Sequence, residues 1–302
     1  MDLVNHLEGR LRFAIPKKGR LQQAAIDLLV GSDIQFRRET RLDIALVKNL
    51  PIALIFLPAA DIPTFVGEGG VDLGITGRDQ VAEHDANLLP GKVSGLEEML
   101  DLGFGGCKLQ VQVPEKGSIT DPKELVGKNV VTSFTGLTQA YFTKLEGKET
   151  PTTKVKYVGG SVEAACALGV ADGIVDLVES GETMKAAGLR PIGTVVDSTA
   201  VLVKSRNTNH ELVSLIESRI RGVITAKKYV LCQYNVPRPL LQAACEITPG
   251  NRAPTITPIE GAGWVAVSSM VEKKSIATVM DKLTAVGATD ILVLSISNSR
   301  TR

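Results

Sequence analysis

The stretch Asp176-Leu177-Val178-Glu179-Ser180-Gly181-Glu182-Thr183-Met184 joins an apolar run, Gly173 to Val178, to a helix-compatible run, Met184 to Gly188. A strand that stops at an acidic, hydroxyl- and glycine-containing turn and hands over to a helix is the repeating joint of α/β folds. The joint also suits a phosphate, because the first helical N–H groups lack internal partners and the helix dipole favours an anion there. Ser180 and Thr183 add hydroxyl donors, and Gly181 lets a ligand approach the backbone closely. Asp176 is placed to face a ribose hydroxyl, or a metal ion through water, from the strand end. Equally, Ser180 serves as an ordinary N-cap and Glu182 as an acid that stabilises a first turn. The nine residues alone fit both readings.

Outward from this joint the chain alternates strands and helices. Leu11 to Pro16, Ile52 to Leu57 and Val71 to Ile75 read as buried strands. Leu21 to Val30 has helical periodicity, and a short helix lies around Ile62 to Val66. Strands recur near Leu109 to Val113, Val130 to Thr132, Val155 to Val158 and Ile174 to Leu177. Helices fall between them around Leu137 to Leu145 and Val162 to Leu168. This alternation predicts α/β layers with largely parallel sheets. A long helix, Glu211 to Ala226, sets Leu212, Leu215, Ile216, Ile220 and Val223 along one stripe. The style then changes. Tyr229 to Asn235, Thr255 to Ile259, Trp264 to Ser269 and Ile291 to Ile296 read as strands, with helices at Pro237 to Cys245 and Ile276 to Val286. That β-α-β-β-α-β order is ferredoxin-like.

Composition narrows the function classes. The chain has 302 residues, 44% hydrophobic and 22% charged, with a net charge of +1. Such a balance offers no global attraction to nucleic acid or a membrane. Cys107, Cys166, Cys232 and Cys245 are far apart, which predicts buried thiols in a reducing compartment. His6, His84 and His210 are scattered and suggest no histidine metal site. The acidic N-terminus has no long apolar run, so no signal peptide is expected, and no 18-residue apolar stretch predicts a spanning helix. Charge is uneven locally. Arg10, Arg12, Lys17, Lys18 and Arg20 lie in a segment without acids, and Arg37, Arg38 and Arg41 follow with Glu39 between them. These form either one wall of a cleft for polyanions or a solvated basic edge.

Glu163, Gly169, Ala171, Ile174 and Asp176 lead into the loop, and the pattern from Glu163 to Met184 resembles the signature of the ATP phosphoribosyltransferase family. The resemblance extends over Phe13 to Leu21, Val71 to Asp79, Gly105 to Leu109, Pro254 to Ile256 and Gly287 to Leu292, and is closest to the fungal enzymes. It implies two periplasmic-binding-protein-like α/β catalytic domains plus a C-terminal ferredoxin-like (ACT-like) α+β domain. The implied boundaries are 1–106 with 190–222, then 107–189, then 223–302. The chain would cross near Gly106 and return near Leu189, with Ile192 to Val203 completing the first domain.

The implied activity joins N1 of ATP to C1 of 5-phosphoribosyl 1-pyrophosphate, releasing pyrophosphate, as the first step of histidine biosynthesis in a cytoplasmic enzyme. The nucleophile belongs to the adenine, so no serine or cysteine nucleophile is required. Alignment and stabilisation of the leaving group carry the catalysis. Mg²⁺ would be held through substrate phosphates, without dedicated protein ligands. The resemblance places phosphoribosyl pyrophosphate on Asp176, Leu177, Val178, Glu179, Ser180, Gly181, Glu182 and Thr183. It gives catalytic roles to Asp176, Glu179, Lys17 and Arg20, and ATP contacts to Lys17, Gly19, Arg20, Arg41, Arg78 and Glu163. Glu163 equally suits a helix start capped by Ser161, and Thr132 to Gly136 equally suits a capped turn or part of the nucleotide site. Histidine, as inhibitor, would meet Asn235, Asn251, Thr255 and Asp290, and the assembly would be a dimer that builds a hexamer. Bacterial relatives carry arginine near position 58, where this chain has Pro58, so which arginine meets the 5-phosphate is open. Two other classes stay open on sequence: a non-catalytic two-domain binding protein and a regulatory amino-acid sensor.

Overall fold

The computed structural model describes residues 7–38, 42–260 and 263–300. The first sheet begins with β1 (Leu11–Pro16), followed by α1 (Gln22–Gly31), β2 (Ile44–Leu46), β3 (Ile52–Leu57), α2 (Ile62–Gly67), β4 (Leu73–Gly77), α3 (Arg78–Ala86) and β5 (Leu96–Asp101). β1 lies between β3 and β4 and is parallel to both. Leu11, Phe13, Ala14 and Ile15 are fully buried, as expected for a near-continuous apolar strand covered on both faces.

The second sheet follows with β6 (Cys107–Pro114), β7 (Asn129–Thr132), α4 (Thr135–Glu146), β8 (Lys154–Tyr157), α5 (Ala164–Ala167), β9 (Gly173–Val178), α6 (Glu182–Ala186) and β10 (Leu189–Ser198). Its order is β10-β6-β9-β7-β8. β11 (Ala200–Ser205) then returns to the first sheet, whose order is β2-β3-β1-β4-β11-β5.

Two expectations need correction. The sheets are mixed and not largely parallel: β11 runs antiparallel to β4 and β5, and β6 runs antiparallel to β9 and β10. The segment Ile192 to Val203 does not go as a whole into the first sheet, because β10 stays with β6 and the strand that crosses is Ala200–Ser205. Burial accounts for the split. β11 is buried along most of its length and fills an interior position, whereas β10 is largely half-exposed, carries two register shifts and sits at an edge.

Residues up to Asp27 together with Gln35–Val213 form one compact unit, and Leu28–Ile34 with the chain from Ser214 onward form another. The second unit contains α7 (Leu212–Lys228), β12 (Tyr229–Pro237), α8 (Leu241–Ile247), β13 (Thr255–Pro258), β14 (Trp264–Glu272), α9 (Ile276–Val286) and β15 (Thr289–Ser295). α7 turns Ile216, Ile220, Val223 and Ala226 inward, and Arg219 donates to the carbonyls of Ser32 and Asp33. The antiparallel order β13-β14-β12-β15 is the ferredoxin-like arrangement. Its core holds Cys232, Tyr234, Val265, Val267 and Leu283. The Tyr234 hydroxyl is satisfied by Thr248 at 2.8 Å.

All four cysteines are free thiols. Cys107 and Cys232 are buried, while Cys166 and Cys245 are partly so. Among the described residues no helix is long and apolar enough to cross a membrane.

Candidate active site

β9 is held from both sides before it releases the loop. It pairs with β6 as far as Val178 opposite Lys108, and with β7 through Val175 opposite Thr132. The Thr132 hydroxyl donates to the Val175 carbonyl at 2.7 Å, and the Gln112 amide donates to the Asp176 carbonyl at 3.2 Å. Gly181 then adopts φ 80°, the left-handed region that favours glycine. The Glu182 N–H reaches the Ser180 hydroxyl at 3.4 Å, and α6 starts. Glu179, Ser180, Glu182 and Thr183 are exposed.

Asp176 is half-buried, and its carboxylate accepts the Leu177 N–H at 2.8 Å. Burial pushes its carboxyl pKa up, the Leu177 N–H opposes this, and the charge of Glu163 adds to the push. The loop from Leu177 to Met184 and the side chain of Arg20 line a cleft of about 350 Å³.

Arg20 reaches the loop from the turn after β1. Its Nε lies 3.2 Å from Glu179 Oε1. Its Nη1 donates to the Gly105 carbonyl, and its Nη2 lies 3.4 Å from Asp79 Oδ1. Glu179, Arg20 and the residues from Ser180 to Thr183 therefore come together around one cleft, whereas Asp176 lies on β9 just before its lining begins. A second cleft of about 410 Å³ shares Val178 and Glu179 with the first and is also lined by Arg78, Cys107 and Ser198.

The other expected residues fall elsewhere. Lys17 Nζ is 3.4 Å from Asp43 Oδ2, beside Arg38, which stacks 4.0 Å over Phe56. Gly19 takes φ 84° in the turn before Arg20. Arg41 lies outside the described residues. Arg78 is held by its own half: both Glu98 carboxylate oxygens accept from it, at 3.0 and 2.6 Å, with Asp101 at 3.1 Å and the Thr199 hydroxyl at 3.0 Å. The Glu98 hydrogen bonds, joined by Asp101, hold its guanidinium charged more firmly still.

Glu163 precedes a helix of only four residues, Ala164–Ala167, and Ser161 has φ 51° and does not cap it. The turn after β7 is capped, and the cap is distant in sequence. The Glu83 carboxylate on α3 accepts the N–H groups of Gly136 and Leu137 at 2.8 and 2.9 Å. In the second unit Asn235 donates to Asp290 at 3.0 Å. Thr255 lies on the edge strand β13, two strands from β12, and Asn251 lies in the turn before it.

Asp79 and Ser198 carry no motif that marks them as site residues, although Asp79 closes the stretch Val71 to Asp79. The Asp79–Ser198 contact spans 119 positions, so its only local signal is an acid two residues after a strand-ending glycine. Among the described residues no group of three or more His, Cys, Asp or Glu is placed to hold a metal ion.

Residues 58–222 match the family model described as ATP phosphoribosyltransferase, and residues 226–298 match the one described as HisG, C-terminal domain. The ATP phosphoribosyltransferase of Yarrowia lipolytica is 63% identical over 303 residues, covering 99% of this chain and 100% of that protein. That of Schizosaccharomyces pombe is 60% identical over 311 residues, with 99% and 100% covered. Among solved structures, the ATP phosphoribosyl transferase (HisG:HisZ) complex from Thermotoga maritima matches with a TM-score of 0.57 and 25% identity, over 70% of this chain and 96% of that chain.

Proposed function

The chain belongs to the ATP phosphoribosyltransferase family, and from that premise we propose that its 176–183 loop seats phosphoribosyl pyrophosphate beside Arg20. The reaction is the first step of histidine biosynthesis, in which ATP and phosphoribosyl pyrophosphate give phosphoribosyl-ATP and pyrophosphate. The observation that carries the site is the meeting of the loop with the Arg20 guanidinium around one cleft. N–H and hydroxyl groups from Ser180 to Thr183 bind the 5-phosphate. Asp176 and Glu179 accept from the ribose hydroxyls and hold C1 in line with the adenine N1. Arg20 stabilises charge on the leaving pyrophosphate, which is greater in the transition state than in the substrate. Lys17, Gly19 and Glu163 are proposed on the ATP side.

The donor set suits Mg²⁺ carried by substrate phosphates: Asp176 and Glu179 offer hard oxygen ligands at the loop, too few for a protein cage. When bound there through the substrate phosphates, the ion would neutralise phosphate charge, with Asp176 facing it through water and no dedicated protein ligand.

The 223–302 region is proposed to bind histidine and inhibit from a distance. The observation behind this is the ferredoxin-like sheet with Asn235 and Asp290 joined at the edge between β12 and β15. Leu292 and Leu294 on β15 are exposed, at 55% and 47%. Apolar area of this kind supports a homo-oligomer, and a dimer building a hexamer is proposed from the family resemblance alone.

Asp176→Ala and Gly181→Val test the loop. The first should weaken phosphoribosyl pyrophosphate binding, and the second should obstruct the phosphate and strain a left-handed residue. Hydrogen bonds to a charged group contribute about 1.5–3 kcal/mol, so kcat/KM should fall at least about tenfold in each. Near-normal kinetics in both variants would sink the assignment.

A further inference from the structure

Asp79 is fully buried, and a buried carboxylate is costly unless it is paired and hydrogen-bonded. Its partners are specific. The Ser198 hydroxyl donates to Oδ1 at 2.5 Å, Gln80 Nε2 donates to Oδ2 at 2.9 Å, and Arg20 Nη2 stands 3.4 Å from Oδ1. Its own N–H donates to Ser198 Oγ at 2.9 Å.

Asp79 sits in the first turn of α3 but makes no side-chain cap there. Its carboxylate folds back over Gly77, where a Cβ would lie 2.2 Å from Oδ1. It thus faces the two places where the chain changes sheets. Ser198 ends β10, directly before the return to the first sheet, and pairs with Cys107 at the start of β6. Gly105 lies in the outward crossing with φ 65°, and a Cβ there would come within 2.3 Å of Leu21 Cδ2 and 3.2 Å of Arg20 Nη1. Two glycines thus leave room for one clamp. Arg20 is gripped on its crossing side by Gly105 and Asp79, and its Nε is left toward Glu179 and the loop.

We propose that Asp79 is a positioning residue for phosphoribosyl transfer: its buried carboxylate fixes Arg20 against both chain crossings and so sets where the guanidinium meets the 176–183 loop. This rests on the reading that the loop seats phosphoribosyl pyrophosphate. Asp79 touches no substrate in this account. It acts through Arg20, and its loss frees the guanidinium to follow Glu179 instead of the pyrophosphate.

The test is steady-state kinetics on the full chain. Asp79→Asn keeps the size and one acceptor oxygen but removes the charge. It should raise the KM for phosphoribosyl pyrophosphate at least about tenfold, the scale of a hydrogen bond to a charged group. Adding Glu179→Gln should change that KM by a different factor than Glu179→Gln does alone, because both act on Arg20. Ser198→Ala keeps the carboxylate and cuts its tie to the return crossing. It should move the same parameter the same way, and it decides the matter if Asp79→Asn folds poorly. A merely structural Asp79 would lower the thermal midpoint and leave the KM alone. That result, or strict additivity in the double variant, overturns the proposal. Thr183→Val, measured in parallel, separates the two readings. If it too leaves the KM unchanged, the loop assignment fails and this inference with it. If only Asp79→Asn and Ser198→Ala are normal, the role of Asp79 alone fails.

Discussion

Asp176 serves two opposed demands. Burial, helped by the Glu163 charge, pushes its carboxyl pKa above the ordinary aspartate value, yet its proposed work needs a charged oxygen. A raised folded-state value means that folding favours the protonated form. Its contribution to stability is therefore full below the unfolded value of about 3.9 and is lost as pH rises through the folded value. At neutral pH the ionised group costs stability. Asp176→Asn should then raise the thermal midpoint at about pH 7.5, and the gain should vanish near about pH 3, where both side chains are neutral. The same variant should lose at least about tenfold in kcat/KM. A midpoint that falls at neutral pH would contradict the account of burial. The position of Asp176 near the end of a strand is legible in the sequence, because the apolar run from Gly173 stops at Val178, two residues after it. Its burial, and the nearness of Glu163, depend on how α5 folds back, and nothing local encodes that. Asp79 is the stronger case, since its partners Arg20 and Ser198 stand 59 and 119 positions away.

At the scale of elements, α4 shows what periodicity reads and what it misses. Leu137 to Leu145 has helical spacing, and the helix runs from Thr135 to Glu146. Its N-cap residue is Phe134, which makes no side-chain cap. The cap comes from Glu83 on α3, itself tied by the Asn87 amide at 2.8 Å. Glu83 thereby joins the first sheet's half of the unit to the second's. Glu83→Ala should destabilise the chain by about 0.5–2 kcal/mol, the range for losing a helix N-cap, and Glu83→Gln should recover part of this. Chemical denaturation measures both, and an Ala variant as stable as the parent would show that the contact contributes nothing. β5 and α3 escaped the sequence reading for a related reason. Leu96–Asp101 carries three acids in six residues, and Arg78–Ala86 is mostly polar, so neither shows an apolar pattern. The segment Ile192 to Val203, expected to complete the first domain as one piece, contains parts of two strands. These are β10 and β11, separated by Thr199 and belonging to different sheets.

At the scale of the whole molecule, the alternation of strands and helices and the ferredoxin-like order after Tyr229 were both legible, since each rests on buried apolar runs. The mixed strand directions were not, because direction depends on where the chain crosses between sheets. Histidine should inhibit the full chain without resembling either substrate, and allosteric coupling is typically about 1–3 kcal/mol, or roughly 5- to 150-fold in affinity. Phosphoribosyl pyrophosphate should reciprocally weaken histidine binding. Asp290→Ala should raise the histidine concentration for half-inhibition at least about tenfold. Steady-state rates with and without histidine check this, and indifference of the parent chain to millimolar histidine would dismiss it.

Amide hydrogen exchange on the full chain shows whether the loop after β9 holds phosphoribosyl pyrophosphate. With Mg²⁺ and phosphoribosyl pyrophosphate added, exchange should slow most strongly in peptides covering 177–185. ATP alone should leave that segment unchanged. Slowing confined to other segments, with 177–185 exchanging as in the free protein, would contradict the account.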